Sequence, residues 1–372
     1  MPRSPSRAHG TVRYAVVGLG NIAQVAILPA FAHARKNSEL VALVSSDAAK
    51  LGALSRKYSV EHTGSYDDLE SVLRESRADA VYIALPNAMH RSMTERAAAA
   101  GVHVLCEKPM ATSVEDCEAM LAATRSAGVR LMIAYRLHFE RGTLATLERV
   151  RAGEIGEPRI FSSVFSHQVE EGGIRTEAAQ GGGALLDMGV YCVNAARHLF
   201  GSEPTGVVAA QGRGHDVRSR EVDEWTSALL EFPGGRIAQL SASQGAADVS
   251  EYRIVGTRGD ILLDPAYDYT TALEASVTVG ERTTTHSFPR RDQFAPELLR
   301  FSEAILEGSP EPSGMEGLCD LRVIDAIRRA ARTGRRVSLP PFHRGDEPDM
   351  SLEVRRPPVG KLKTIHAPSP SK

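Results

Sequence analysis

The feature that most constrains the fold is a glycine-rich turn between an apolar run and the start of a predicted helix. Residues 12–17 are mostly apolar, and the sequence GLGNIA follows directly at residues 18–23. Gly18 allows a tight turn, Gly20 lets the backbone approach a ligand, and Ala23 fits where a helix packs closely on a strand. The helix amino terminus supplies N–H groups and a positive dipole end. The pattern therefore predicts a pyrophosphate site, although glycine turns also occur for purely structural reasons.

The end of the next predicted strand indicates which dinucleotide binds. Residues 39–44 form a short apolar strand, at the distance from the turn where NAD enzymes usually place an acidic residue against the ribose. Here Ser45 and Ser46 follow the strand, and Lys50 comes soon after. Hydroxyls and a lysine suit a 2′-phosphate, so NADP is favoured and NAD remains possible because Asp47 is near. The alternative is that Ser45 and Ser46 only cap a helix beginning near Asp47 and that Lys50 is a solvated surface charge.

Composition excludes several functional classes. The formal net charge is −2, which gives no electrostatic reason to expect nucleic acid or an anionic membrane as a partner. No apolar run approaches the ~20 residues that span a bilayer, and Met1–Gly10 lack the apolar core of a signal peptide. A cytoplasmic protein is expected. The four cysteines have no paired spacing, so neither disulfides nor a zinc site are predicted: Cys106, Cys117, Cys192 and Cys319.

The order and spacing of the predicted strands and helices divide the chain into three parts. Apolar strands alternate with helices over residues 11–137, which is typical of an α/β Rossmann domain with a buried parallel sheet. Residues 138–338 contain short strands broken by glycine turns, together with several helices, which predicts an α+β domain with a large, mostly antiparallel sheet. One broad face of that sheet could pack on a second copy, making a homodimer or homotetramer. Residues 339–372 form a Pro-rich basic tail, expected to be a solvated extension.

Two strand ends carry polar residues where an open α/β sheet binds its ligand. Leu85-Pro86-Asn87 follows one strand, and Glu107-Lys108-Pro109 follows the next. A lysine beside a nicotinamide can hydrogen-bond a substrate hydroxyl and assist its deprotonation if its pKa is lowered from ~10.4. The alternative for Lys108 is a surface lysine on a loop.

A second polar group lies on the helix predicted after the glycine run at residues 181–183. Asp187 and Tyr191 are four residues apart and so share one helical face. A tyrosine phenol can pass a proton to or from a carbonyl oxygen while a nearby lysine adjusts its acidity. The alternative is a core aromatic and a helix-surface charge.

The motifs together resemble the Gfo/Idh/MocA family of oxidoreductases over nearly all of residues 12–338. The most specific pieces are GLGNIA, LPNAMH, CEKPMA, GGGALLDMGVY and MEGLCDLRVIDAIRRAARTGRRV. The sequence looks most like the glucose-fructose oxidoreductase branch and its aldose dehydrogenase and dihydrodiol dehydrogenase relatives. These use NADP and carry a tyrosine where many inositol dehydrogenase-like members have histidine.

The resemblance implies roles for individual residues. Lys108, Tyr191 and Asp187 would be catalytic, with Tyr191 as the general acid/base, and Arg175 would join Lys108, Asp187 and Tyr191 in binding substrate. The residues implied to bind the cofactor are Gly18, Gly20, Asn21, Ile22, Ser45, Lys50, Leu85, Asn87, His90, Glu107, Lys108 and Arg136.

We therefore expect an NADP-dependent oxidoreductase that exchanges hydride with a sugar or polyol, with no metal because lysine and tyrosine polarise the oxygen. Three alternatives remain open at this point: internal oxidation of one aldose and reduction of another sugar with retained NADP, a non-catalytic sensor of NADP and sugar, and cofactor-recycling glycoside cleavage.

Overall fold

The structure, a computed structural model, describes residues 10–214, 217–309, 314–342 and 347–369. Expectations for residues 1–9 and for 343–346 and 370–372 of the tail lie outside this part of the chain. The described residues form two compact units. The first contains residues up to Arg136, with Arg291–Gly317 and Val354–Ser369; the second contains Leu137–Arg290 and Leu318–Glu353.

The helices are α1 Leu28–Ala30, α2 Ala48–Tyr58, α3 Leu69–Glu75, α4 His90–Ala99, α5 Val114–Ala127, α6 Arg141–Arg151, α7 Val190–Phe200, α8 Ala295–Glu307 and α9 Gly314–Thr333. The strands are β1 Val12–Val17, β2 Ser38–Val44, β3 His62–Gly64, β4 Ala80–Ile83, β5 His103–Glu107, β6 Leu131–Ala134, β7 Pro158–Ser166, β8 Gly206–Gly212, β9 Trp225–Phe232, β10 Arg236–Ser243, β11 Val249–Gly256, β12 Gly259–Leu263, β13 Leu273–Val279, β14 Arg282–Phe288 and β15 Val337–Ser338.

The first unit is built on a parallel sheet of six strands in the order β3-β2-β1-β4-β5-β6. The order reverses between β1 and β4, and ligands of such sheets bind at the carboxyl ends of the strands at this point. All four residues of β4 are buried, as expected for a strand covered on both faces. Local signals set the helix ends: Ser113 caps α5 by accepting from the Asp116 N–H, and Gly128 ends it in the left-handed conformation.

The second unit is built on a nine-stranded sheet in the order β14-β13-β12-β11-β7-β10-β9-β8-β15. Among the described strands of this nine-stranded sheet, only β7 and β10 pair in parallel. The two sheets confirm the predicted fold class, a parallel Rossmann sheet followed by a large, mostly antiparallel one.

One face of the nine-stranded sheet carries exposed apolar side chains. The strand register places five of them on the same face: Ile160, Val208, Trp225, Ile237 and Val249. Their exposed fractions lie between 37% and 42%. The opposite face is the core of this unit and buries Phe161, Leu230 and Ile254.

Two segments differ from the predicted division of the chain. Helix α8, placed by sequence in the second domain, belongs to the first unit, where the Tyr14 hydroxyl lies 2.9 Å from Ser302 Oγ. The tail was expected to be a solvated extension, but several of its described residues contact the rest of the chain. Arg356 Nε donates to the His33 carbonyl in the first unit at 2.8 Å, and Glu353 pairs with Arg141 in the second unit at 2.7 Å.

None of the helices in the described ranges combines the length and apolar character needed to cross a membrane.

Candidate functional site

Gly18 and Gly20, the two glycines of the first turn, differ in the space around them. Gly18 has a φ of +96°, and a Cβ there would lie 2.3 Å from the Ala84 carbonyl oxygen, so only glycine fits between β1 and β4. At Gly20 a Cβ would meet nothing within 4 Å. Gly18 therefore allows close packing of the backbone, while Gly20 faces the open space that a pyrophosphate needs. This arrangement fits a dinucleotide.

The helix after the turn begins with a π-helical turn, Ala23–Ile27, before α1. Ala23 is fully buried, as the small-residue position requires. Gln24 is 2% exposed, and its side-chain amide donates to the Leu19 carbonyl at 2.9 Å. The turn is thus held by a side chain that sequence analysis did not single out.

At the carboxyl end of β2, Asp47 is the residue that caps α2. Its Oδ1 accepts from the backbone N–H groups of Ala49 and Lys50 at 2.9 and 3.0 Å. Ser45 is 3% exposed and its Oγ accepts from the Asp47 N–H at 3.2 Å. Lys50 Nζ lies 3.9 Å from Asp47 Oδ2. Ser45 and Lys50, the two residues predicted to bind a 2′-phosphate, therefore both contact Asp47. The alternative prediction that the serines cap α2 is wrong, because Asp47 is the capping residue. The backbone N–H of Lys50 is the main cause that lowers the pKa of Asp47.

The loops after β4 and β5 are joined by His90. This side chain is fully buried, with Nε2 3.0 Å from the Leu85 carbonyl oxygen and Nδ1 3.0 Å from that of Pro109. Burial lowers the pKa of the imidazole. Leu85 is 7% exposed, whereas Asn87 is half-buried in a short 3₁₀ turn, Asn87–Met89. His90 thus holds two ligand-side loops together, and its direct contact with the cofactor stays a prediction.

Glu107 and Lys108 end β5, and the peptide bond from Lys108 to Pro109 is cis. Glu107 Oε1 accepts from the Tyr82 hydroxyl at 2.9 Å, and Glu107 Oε2 accepts from the Lys108 N–H at 3.2 Å. Desolvation raises the pKa of Glu107, and the positive charge of Lys108 opposes that rise.

Glu297 on α8 adds a second carboxyl group to this cluster. Its Oε2 lies 3.3 Å from the Tyr82 hydroxyl oxygen, and the side chain is fully buried. A hydroxyl has a single proton to donate, so when Tyr82 donates to Glu107, its contact with Glu297 requires a protonated carboxyl there. Burial raises the pKa of Glu297 well above its usual value, and the charge of Glu107 raises it further.

Arg136, after β6, lies in the same unit and is 6% exposed. Its Nη1 donates to Gln293 Oε1 at 2.6 Å, and its charge lowers the pKa of both Glu107 and Glu297. The guanidinium therefore stabilises negative charge in the buried carboxyl cluster.

The second unit holds the other predicted group. Arg175 Nε lies 2.6 Å from Asp187 Oδ2, and His167 Nε2 lies 3.9 Å from the same oxygen. Asp187 lies in a π-helical turn, Leu185–Gly189, and Tyr191 follows in the first turn of α7. The Tyr191 ring packs against Phe165 with centroids 5.6 Å apart. The structure thus brings Arg175, from the turn Ile174–Thr176, to Asp187 on the segment that carries Tyr191.

The roles assigned to Lys108, Tyr191 and the cofactor residues stay predictions. Sequence analysis missed four residues that organise these groups: Gln24, Tyr82, His167 and Glu297. Tyr82 lies within an apolar strand and Glu297 on an apolar helix face, so periodicity assigns both to the core. His167 directly follows β7, and this position at a strand end is the one signal that could have found it.

A large open groove of about 1600 Å³ lies elsewhere on the first unit. Its lining includes Arg13, Asp79 and His103, which stand at the amino ends of β1, β4 and β5. Because dinucleotides bind at the carboxyl ends of such strands, this groove does not correspond to the predicted site.

Comparisons with known proteins agree with the geometry of both units. Residues 12–135 match a family model described as an oxidoreductase family with an NAD-binding Rossmann fold, and residues 143–262 match a GFO/IDH/MocA C-terminal domain. A D-xylose 1-dehydrogenase (NADP(+)) from Haloferax volcanii is 32% identical over 331 residues, which are 88% of this chain and 99% of that protein.

Solved structures resemble the chain over a similar extent. An aldose-aldose oxidoreductase from Caulobacter crescentus, complexed with glycerol, is 38% identical with a TM-score of 0.84 and covers 88% of this chain and 100% of its own. A 3-ketoreductase from Actinomadura kijaniata, in complex with NADP and TDP-benzene, is 29% identical with a TM-score of 0.79 and covers 86% of this chain and 98% of its own.

Proposed function

The chain belongs to the Gfo/Idh/MocA family of oxidoreductases, and on that premise we propose that it is an NADP-dependent dehydrogenase of a sugar or polyol. The observation that carries the proposal is the ion pair between Arg175 and Asp187 on the segment leading to Tyr191. Such a group offers charged donors and acceptors to the hydroxyls of a sugar, next to a phenol that can exchange a proton. The D-xylose dehydrogenase and the aldose-aldose oxidoreductase support a sugar as the substrate.

NADP is the proposed cofactor, and when bound it supplies the nicotinamide carbon that exchanges hydride with the substrate. The open space at Gly20 leaves room for its pyrophosphate, and Ser45 and Lys50 are proposed to hold its 2′-phosphate. The D-xylose 1-dehydrogenase (NADP(+)) and the 3-ketoreductase in complex with NADP favour this choice. Leu85, Asn87 and Arg136 are proposed to line the ribose and nicotinamide side.

The protein's own groups are proposed to move the proton. The phenolate of Tyr191 takes the proton of the substrate hydroxyl during oxidation, and the phenol so formed returns that proton to the carbonyl oxygen during reduction. Lys108 donates a hydrogen bond to the same substrate oxygen and stabilises negative charge on it. Asp187, oriented by Arg175, accepts from a neighbouring substrate hydroxyl.

The test is the growth of the reduced-nicotinamide absorbance when aldoses and polyols are added to the protein with NADP. We expect one class of sugar to give turnover that Tyr191→Phe and Lys108→Met lower at least ~100-fold, the usual contribution of a positioned acid or base. Tyr66→Phe, in the loop before α3, is the matched control and should keep wild-type turnover. A Tyr191→Phe variant with full activity would refute the assigned role.

Internal oxidoreduction between two sugars is a second candidate, favoured by the resemblance to the aldose-aldose oxidoreductase. It requires that NADP stays bound between the two half-reactions. Desalted protein that still carries nucleotide and converts a sugar mixture without added NADP would favour it. Rapid exchange with labelled NADP would favour the dehydrogenase.

We also propose that the protein assembles through the nine-stranded sheet. The five exposed apolar side chains on one face of that sheet support this, because burying them on a second copy removes them from water. A cytoplasmic location likewise stands as a proposal.

A further inference from the structure

The carboxyl-terminal segment, residues 363–369, lies on the glycine turn through main-chain contacts. Gln24 Oε1 accepts from the Ile365 N–H at 2.8 Å, and Gln24 Nε2 donates to the Ile365 carbonyl at 2.9 Å. Asn21 Nδ2 donates to the carbonyls of Ala367 and Pro368, both at 3.1 Å. Two side chains next to the predicted pyrophosphate site therefore recognise this segment.

His366 stands between these contacts and points to the end of β2. Its Nδ1 lies 3.1 Å from Asp47 Oδ2, and its backbone has a φ of +46°. Asp47 uses its other oxygen to cap α2, and Lys50 approaches the same Oδ2 at 3.9 Å. A carboxylate at this position would ordinarily repel a 2′-phosphate. Here the Lys50 ammonium, from α2, offsets its charge, and the His366 side chain, from the tail, contacts the same carboxylate oxygen.

The segment lines the predicted site without filling it. A Cβ placed on Gly20 would meet nothing within 4 Å, so the segment leaves the space over that glycine open. Ala367 is 6% exposed and faces the protein, whereas 64% of the His366 side chain is exposed and available to a ligand. The arrangement is that of a wall at the adenosine end of the site.

We propose that residues 365–368 form a wall of the NADP site and that His366 determines the preference for NADP by contacting the 2′-phosphate. The inference rests on the proposed NADP-dependent function. His366 would act together with Lys50 and Ser45, and an imidazole N–H would donate to a phosphate oxygen. The cofactor preference would then depend on His366, which lies over 300 positions after Gly20 in the sequence.

The test is direct binding of two nucleotide fragments by calorimetry, which needs no turnover. Adenosine 2′,5′-bisphosphate carries the 2′-phosphate, and adenosine 5′-monophosphate lacks it. His366→Ala should weaken binding of the bisphosphate roughly tenfold, the loss of one hydrogen bond to a charged group, and change binding of the monophosphate less than about twofold. A chain ending at Thr364 should show at least the same selective loss. Lys361→Ala, which removes an exposed cation from the same tail, is the matched control and should bind both fragments as wild type does.

Three results would overturn the inference. Unchanged binding in both His366→Ala and the shortened chain would mean that the tail is not part of the site. An equal loss for both fragments would mean that His366 does not recognise the 2′-phosphate. Tighter binding by the shortened chain would mean that the tail blocks the site. If instead the proposed dehydrogenase function were wrong, the result would differ from all three: wild-type protein would bind the bisphosphate selectively but oxidise no sugar.

Discussion

Because burial raises the pKa of Glu297, the first unit should become less stable as pH rises, and Glu297→Gln should remove the contribution of this group. Tyr82 contacts both carboxyl groups but can donate to only one of them, and burial raises the pKa of Glu297, so we expect Glu297 to carry a proton in the folded protein. Glutamine has nearly the same shape and keeps a donor for the Tyr82 oxygen. The substitution therefore replaces a neutral carboxyl group with a neutral amide.

The sign and size follow from proton linkage. The pKa of Glu297 in the folded state is raised well above its unfolded value, so the group's contribution is fully present below the unfolded pKa and declines as pH rises towards the folded pKa. One proton changes the free energy of unfolding by ~1.4 kcal/mol per pH unit. Between pH 5.5 and 7.5, wild type should therefore lose stability that Glu297→Gln retains, with an upper bound of about 2.7 kcal/mol for a proton that the folded state keeps over the whole interval.

The assay is urea unfolding followed by circular dichroism at pH 5.5, 6.5 and 7.5, with the variant compared to wild type at each pH. Glu307→Gln, at the exposed end of the same helix, is the matched control and should follow the wild-type pH dependence. Parallel curves for wild type and Glu297→Gln would refute the reasoning, because they would mean that Glu297 is ionised in the folded state.

Three further substitutions test the packing. Gly18→Ala should prevent folding of the first unit, because its Cβ would overlap with the Ala84 carbonyl oxygen. Gly20→Ala, where a Cβ meets no atom, should keep the wild-type melting temperature and weaken NADPH binding measured by fluorescence. Arg197→Met should lower the free energy of unfolding of the second unit by roughly 3–5 kcal/mol in a urea titration. The reason is that the fully buried Asp320 carboxylate would lose its guanidinium partner. A loss under ~1 kcal/mol would contradict this. Ile237→Glu should shift the mass measured by light scattering towards a monomer, and an unchanged mass would exclude this sheet face as the contact.

Local signals in the sequence predicted the local structure well. Ser113 and Gly128 are residue types that begin and end helices, and α5 spans Val114–Ala127 between them through short-range contacts. The strand ends that carry Leu85 and Lys108 also follow from apolar runs and a proline. These features depend on neighbours within a few residues, which is the range that periodicity and capping describe.

Contacts between distant parts of the chain could not be predicted in the same way. The tail has no apolar period, and it is held because Asn21 and Gln24 recognise its main chain, which any sequence presents. Helix α8 joins the first unit through hydroxyl contacts such as Tyr14 with Ser302. Tyr82 and Glu297 have the sequence context of core residues, and only the fold brings their oxygen atoms together.

The position of His90 has a consequence for motion. One rigid ring contacts the main chain after β4 and after β5, so thermal displacement of either loop is transmitted to the other. The segment that carries Asn87 and the segment that carries Lys108 should therefore fluctuate together as one body. Amide hydrogens in the two segments should exchange with solvent at correlated rates, and opening of one without the other should be rare.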